Sequence, residues 1–108
     1  MEVFLVNIED KIYEELSFVF DPEFGVSIVD LGYIYQLLVD EEKNVMIKMT
    51  CISESAQIQE WLKSGVEFAV ATVDGVKSVT VKIVSEPKWS PKMMKKGLKK
   101  ELIGIKEK

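Results

Sequence analysis

Val45-Met46-Ile47-Lys48-Met49-Thr50-Cys51-Ile52, running into Ser53-Glu54-Ser55, is the stretch whose reading decides the fold. Val45, Ile47, Met49 and Cys51 fall on one face and Lys48 and Thr50 on the other, the two-residue period of a half-buried strand. The serines then supply a loop and a helix cap. Beyond them Ile58, Trp61, Leu62, Val66, Ala69, Val70 and Val73 recur at three- and four-residue intervals, which predicts one long helix over 55–73 ended by Asp74-Gly75. Val79, Val81 and Ile83 alternate with Ser78, Thr80 and Lys82, a second half-buried strand.

Upstream, Leu31 to Val39 is rich in aromatic and branched residues and reads as a strand, and the polar run 40–44 turns it into a hairpin with 45–52. Before it, Ile8, Ile12, Leu16, Val19 and Phe20 form one helical stripe, predicting a helix over 8–20. Asn7 is its N-cap, Glu9 and Asp10 suit the positive end of its dipole, and Asp21-Pro22 is its stop. At the other end Ser90-Pro91 is an N-cap with proline at the first helical position. The expectation is an α+β chain in the order αββαβα, a two-layer sandwich with a small mixed sheet and helices on one face, forming a single domain over 1–108.

Composition limits the chemistry. Among 108 residues there are 14 Lys against 18 acidic residues, with no His and one Cys. All 14 basic residues are Lys, so guanidinium clamps on phosphate or carboxylate are unavailable. Histidine triads and histidine zinc sites are excluded, as is any intramolecular disulfide. With no activated nucleophile and no phosphate-binding glycine loop, the expectation is a protein that is not an enzyme. Residues 86–108 carry 8 Lys and 3 Glu, leaving the body before them at −9. That basic tail reads as a solvated face and not as a nucleic-acid interface, because no aromatic is interleaved after Trp89. No apolar run spans a bilayer and no basic leader opens the chain, so the expected setting is cytoplasmic, with neither membrane nor nucleic acid as partner.

Three segments then resemble one family. Asp21-Pro22-Glu23, with Ser27-Ile28-Val29-Asp30-Leu31-Gly32-Tyr33-Ile34-Tyr35, resembles the "DPE…SIVDLGLIY" signature of the metal–sulfur cluster assembly family that includes SufT and PaaD. Met49-Thr50 is similar to that family's "MT" before its active loop, and Glu86-Pro87-Lys88-Trp89-Ser90-Pro91-Lys92-Met93 to its "PPWTPDRM" segment. Order and spacing agree from about Ile8 to Met94. The resemblance implies a small α+β domain that helps mature iron–sulfur proteins as an adaptor or targeting factor. Its partners would be the assembly machinery or apo-client proteins, and a homodimer is a further expected partner state. No cofactor would be bound stably, and iron or a cluster would be met only transiently. The alternative is a divergent protein-interaction module of the same fold with no iron–sulfur role. There is one departure: the family's loop carries a "PGCP"-like turn with a reactive cysteine, and alignment on Met49-Thr50 places it at Ala56.

The candidate site is the edge made by Asp21, Glu23, Asp30, Thr50, Ser53, Glu54 and Trp89, with Cys51 as the one candidate metal ligand. Each has a second reading. Cys51 shares the inward parity of Val45, Ile47 and Met49 and is either a small core hydrophobe or a ligand at the strand's end. One thiolate cannot by itself hold a cluster that needs four. Asp21 and Glu23 either meet a metal or partner, or make a proline turn. Asp30 caps a turn or contacts the site. Thr50, Ser53 and Glu54 line a loop at a helix N-terminus, where binding and plain capping coincide. Trp89 anchors a partner or covers the sheet, while Met93 and Met94 read as packing.

Overall fold

The computed structural model describes residues 7–94. The elements are α1 (Ile8–Leu16), β1 (Ile34–Val39), β2 (Asn44–Met49), α2 (Ala56–Ala71), β3 (Ser78–Ile83) and a single 3-10 turn at Pro91–Met93. The strands form one mixed sheet in the order β1-β2-β3, with β1 antiparallel and β3 parallel to β2. A parallel neighbour requires a crossover, and α2 supplies it. The helix packs on β3, and α1 packs on α2. Ile47, Met49 and Val81 from the sheet meet Leu62, Val66 and Val70 of α2 and Ile12 and Leu16 of α1 in one core. Gln36, Lys48, Thr80 and Lys82 face away from it and are exposed. The α+β sandwich expected from the pattern is therefore observed.

Several boundaries differ. The first helix stops at Leu16, with Ser17 as its C-cap, four residues before Asp21-Pro22. Val19 and Phe20 belong instead to a tight loop closed by an isolated bridge from Phe20 to Ser27, so Asp21 begins a turn and stops no helix. Asn7 caps α1 as expected, its side chain accepting from Asp10 N. Residues 28–32 are turn, and β1 starts only at Ile34 because Leu31 and Ile28 enter the core from irregular backbone. β2 ends at Met49, so Thr50, Cys51 and Ile52 leave the sheet. Trp61, placed on the buried stripe of α2 by spacing, is 58% exposed, since only the 62–66–70 line faces the sheet. Ser90 makes no side-chain cap, and the C-terminal helix expected after it is, in the described residues, one 3-10 turn. The Lys-rich segment 95–108 and the N-terminal residues 1–6 lie outside the described residues.

Candidate functional site

Two loops follow the carboxyl ends of the parallel neighbours β2 and β3, and a crevice outside such strand ends is where open α/β sheets place ligands. Here the loop 50–54 and the segment 83–89 enclose a cleft of about 490 Å³. Thr50, Cys51, Ser53, Glu54 and Trp89 all line it. Five of the eight candidate residues are thus brought together. Gln59, Ser85, Glu86 and Lys88, which sequence reasoning did not single out as site residues, complete the polar lining.

Each wall is fixed by identifiable bonds. On the β2 side, Thr50 N donates to Tyr33 O at 2.9 Å. Ser55 is the N-cap of α2, its Oγ accepting from Ile58 N, and Ser53 Oγ accepts from Ser55 N. Gln59 Nε2 reaches back to Ser53 O at 2.9 Å and ties the loop to the first turn of the helix. Ala56, where the family resemblance puts a cysteine, is the first residue of α2 and is exposed.

On the β3 side, the segment returns across the molecule toward β1. A bulge in β1 between Ile34 and Gln36 leaves Tyr35 without a ladder partner, as bulges do when they re-aim a side chain. Its hydroxyl donates to Pro87 O at 2.7 Å. Trp89 is half-buried against the core, and its Nε1 donates to Leu31 O at 2.7 Å. Of its two readings the tryptophan satisfies the packing one, while one side of it still lines the cleft.

Asp21 is fully buried and is not part of the surface edge. Its Oδ1 accepts from Glu23 N at 2.7 Å and Phe24 N at 3.1 Å, and its Oδ2 accepts from Tyr33 Oη at 2.6 Å. A buried carboxylate needs such partners. The same Tyr33 hydroxyl accepts from Ile52 N at 3.4 Å, so one phenol couples the 21–24 turn to the cleft loop. Glu23 is exposed beside that turn, and Asp30 is half-buried in the 29–32 turn and away from the cleft lining. No sequence signal joined Asp21 to Tyr33, because the pair is made across twelve residues by tertiary packing.

Burial raises Tyr33 well above the ordinary phenol range, and its hydrogen bond to Asp21 adds to the shift. Burial likewise pushes the Cys51 thiol up; a hydrogen bond from the Ser53 backbone opposes this, and the charges of Asp21 and Glu23 reinforce it. Cys51 is half-buried and lines the cleft, so it is reachable but held in its unreactive, protonated form. Alkylation of Cys51 should therefore follow a pH profile whose midpoint lies above the about 8.5 of a free cysteine. A midpoint at or below that value in stopped-flow labelling would contradict this assignment.

The donor set does not fit a resident cluster, which usually takes four thiolates. The chain has one cysteine and no histidine, and among the described residues no group of three or more His, Cys, Asp or Glu side chains could hold a metal ion. Also among the described residues, no helix is long and apolar enough to cross a membrane.

Residues 9–83 match the family described as iron-sulfur cluster assembly protein. The chain is 33% identical over 89 residues to the Fe-S protein maturation auxiliary factor of Porphyromonas gingivalis, covering 82% of this chain and 85% of that one. It is 33% identical over 76 residues to the Fe-S protein maturation auxiliary factor SufT of Staphylococcus aureus, covering 70% of this chain and 86% of that one. Among solved structures, a domain of unknown function from Bacillus anthracis superposes with a TM-score of 0.81 at 36% identity, covering 91% of this chain and 92% of that one.

Proposed function

The chain belongs to the iron-sulfur cluster assembly protein family, and on that premise we propose that it is an accessory factor for iron–sulfur protein maturation that works as an adaptor. The observation that carries the adaptor reading is the cleft between the loops after β2 and β3. It is shaped and polar enough to take a segment of a partner, but its one thiol is held protonated. Iron or a cluster is then cargo carried by the partner and touched at most in passing, with Cys51 as the one soft donor at hand. The partners are the assembly machinery and apo-client proteins. The chain acts by binding, without a turnover reaction of its own, and its setting is the cytoplasm, where a lone thiol stays reduced.

The test is cluster loading. An apo [4Fe–4S] protein is mixed anaerobically with a loaded scaffold, with and without the chain, and the gain in client activity is followed. The chain should raise the rate or yield while taking up no lasting chromophore when reconstituted alone with iron and sulfide. Cys51→Ala should preserve most of the effect, whereas Trp89→Ala, which removes a cleft wall, should lose most of it. No effect of the wild-type chain on loading would sink the proposal, and a stable chromophore on the isolated chain would overturn the adaptor form of it.

A further inference from the structure

The sheet has two edges, and the chain treats them differently. The β1 edge is interrupted by the bulge between Ile34 and Gln36, and the returning segment is tied beside it through Tyr35 to Pro87. Among the described residues β3, the other edge, pairs with β2 alone, in unbroken register from Ser78 to Ile83 and with no proline. Val84 N donates to Met49 O, and backbone groups on a strand point alternately to either side. The N–H and C=O of Val79, Val81 and Ile83 therefore point away from β2. Val79 and Ile83 pack on the core yet are only half-buried, as suits a strand with an uncovered flank. Sheets blunt their edges with bulges, proline or covering segments, and an edge left without them is a template for another strand.

Beside β3 lies a groove of about 420 Å³, lined by Gln59, Glu60 and Lys63 of α2 and by Val81 and Ile83 of the strand. It shares Gln59, Ile83 and Val84 with the cleft, so one continuous trough leads from the edge strand into the candidate site. That continuity selects the occupant: an extended segment that pairs along β3 and runs on past Ile83 into the cleft. A second copy has only its own β3 to offer, and the continuation of that strand is tied back by Tyr35 and Trp89. An apo-protein awaiting its cluster does hold unpaired chain, because ordering of the ligating segment is coupled to metal binding. We propose that β3 is the docking edge for the metal-free cluster-binding segment of a client, which extends the three-stranded sheet by one strand and enters the cleft end-on. This rests on the adaptor reading above and names what the cleft receives. Main-chain hydrogen bonds supply the affinity in such strand addition, which lets one adaptor serve clients of different sequence. Alternate side chains of the added strand are apolar on the α2 side, where they cover Val79 and Ile83, and polar beside the exposed Thr80 and Lys82.

Residue-resolved amide exchange by NMR tests it, on the chain alone and with the apo [4Fe–4S] protein of the loading assay. In the free chain the Val79, Val81 and Ile83 amides should exchange fast beside slow Thr80 and Lys82, whose N–H groups face β2. Added apo-protein should slow the three by about tenfold or more, and the same protein already loaded with its cluster should not. Glu60→Trp, at an exposed helix position that lines the groove but not the cleft, should keep the wild-type circular dichroism and weaken apo-protein binding by about tenfold through a clash. Slow exchange at all five amides in the free chain would overturn the proposal, because the edge would then already be covered by this chain or a second copy. Equal protection by the loaded protein would overturn it too. If loading is lost in Trp89→Ala but proceeds in Glu60→Trp, with the three edge amides unprotected, the edge proposal fails and the cleft reading stands. A wild type that neither binds nor loads the apo-protein sinks both.

Discussion

Gly32→Ala should cost about 2–4 kcal/mol and strip the cleft of its second wall. Two independent effects act at this position. Gly32 has φ +76°, the left-handed region, where any residue with a Cβ costs roughly 1–2 kcal/mol. A Cβ there would also lie 2.1 Å from Met93 O and 2.7 Å from Met93 C, which are backbone atoms and cannot swing aside. The returning segment must therefore lift off. It does so against the hydrogen bonds of Tyr35 to Pro87 and of Trp89 to Leu31, about 1 kcal/mol net each, and against the packing of Trp89 and Met94 on the core, which adds to the cost of the substitution. Denaturant unfolding should show the loss, and Trp89 emission should shift to the red in the native baseline. An unchanged melting point and spectrum would mean that the close approach of Met93 to Gly32 is wrong. Read together with the loading assay, the variant should lose partner function while α1, α2 and the sheet persist.

Asp21→Ala should be about as damaging, at about 3 kcal/mol or more. The carboxylate accepts three hydrogen bonds, and bonds to a charged acceptor are worth about 1.5–3 kcal/mol each, so the loss of even two is a large part of the 5–15 kcal/mol that hold a domain together. The Glu23 and Phe24 amides can recover water at the surface, but the Tyr33 hydroxyl is buried and cannot. Tyr33→Phe should cost less, about 2 kcal/mol, because it leaves Asp21 with both amide donors. The double variant should fall well short of the sum, since both remove one shared bond. Additive losses in a double-mutant cycle would refute the Asp21–Tyr33 coupling. In Tyr33→Phe the Ile52 amide loses the hydroxyl that accepts from it, and in Asp21→Ala that hydroxyl loses the acceptor that orients it, so limited proteolysis should find the 50–54 loop sooner in both and more so in Tyr33→Phe. Stability should also have an alkaline edge. Tyr33 and Cys51 are both raised in the folded state, so their contribution is complete below their unfolded values and is lost as pH climbs through the folded ones.

What the chain's pattern determined is the layer architecture. The two-residue alternation at 45–49 and 79–83 with a three-to-four-residue period between them reads as strand, helix and strand, whereas the parallel pairing of β2 and β3, which gathers the loops after them, was decided by the tertiary structure. Thr50, Cys51, Ser53 and Glu54 were legible as one edge because they stand at the junction of strand and helix. Trp89 was reachable only through family resemblance, because its seat against Leu31 is a tertiary contact. Periodicity failed where two faces of one helix are both apolar. Trp61 and Phe68 fit a helical stripe as well as Leu62 and Val66 do, and only docking against β3 decides which line is covered and which is left exposed. It failed again at Asp21, whose partner is twelve residues away. Hydrophobic period is a local property of the chain and fixes which residues can share a face. Burial and polar pairing are set by what packs against that face, so the roles of Asp21, Tyr33, Gly32 and the open edge of β3 were decided by the tertiary structure alone.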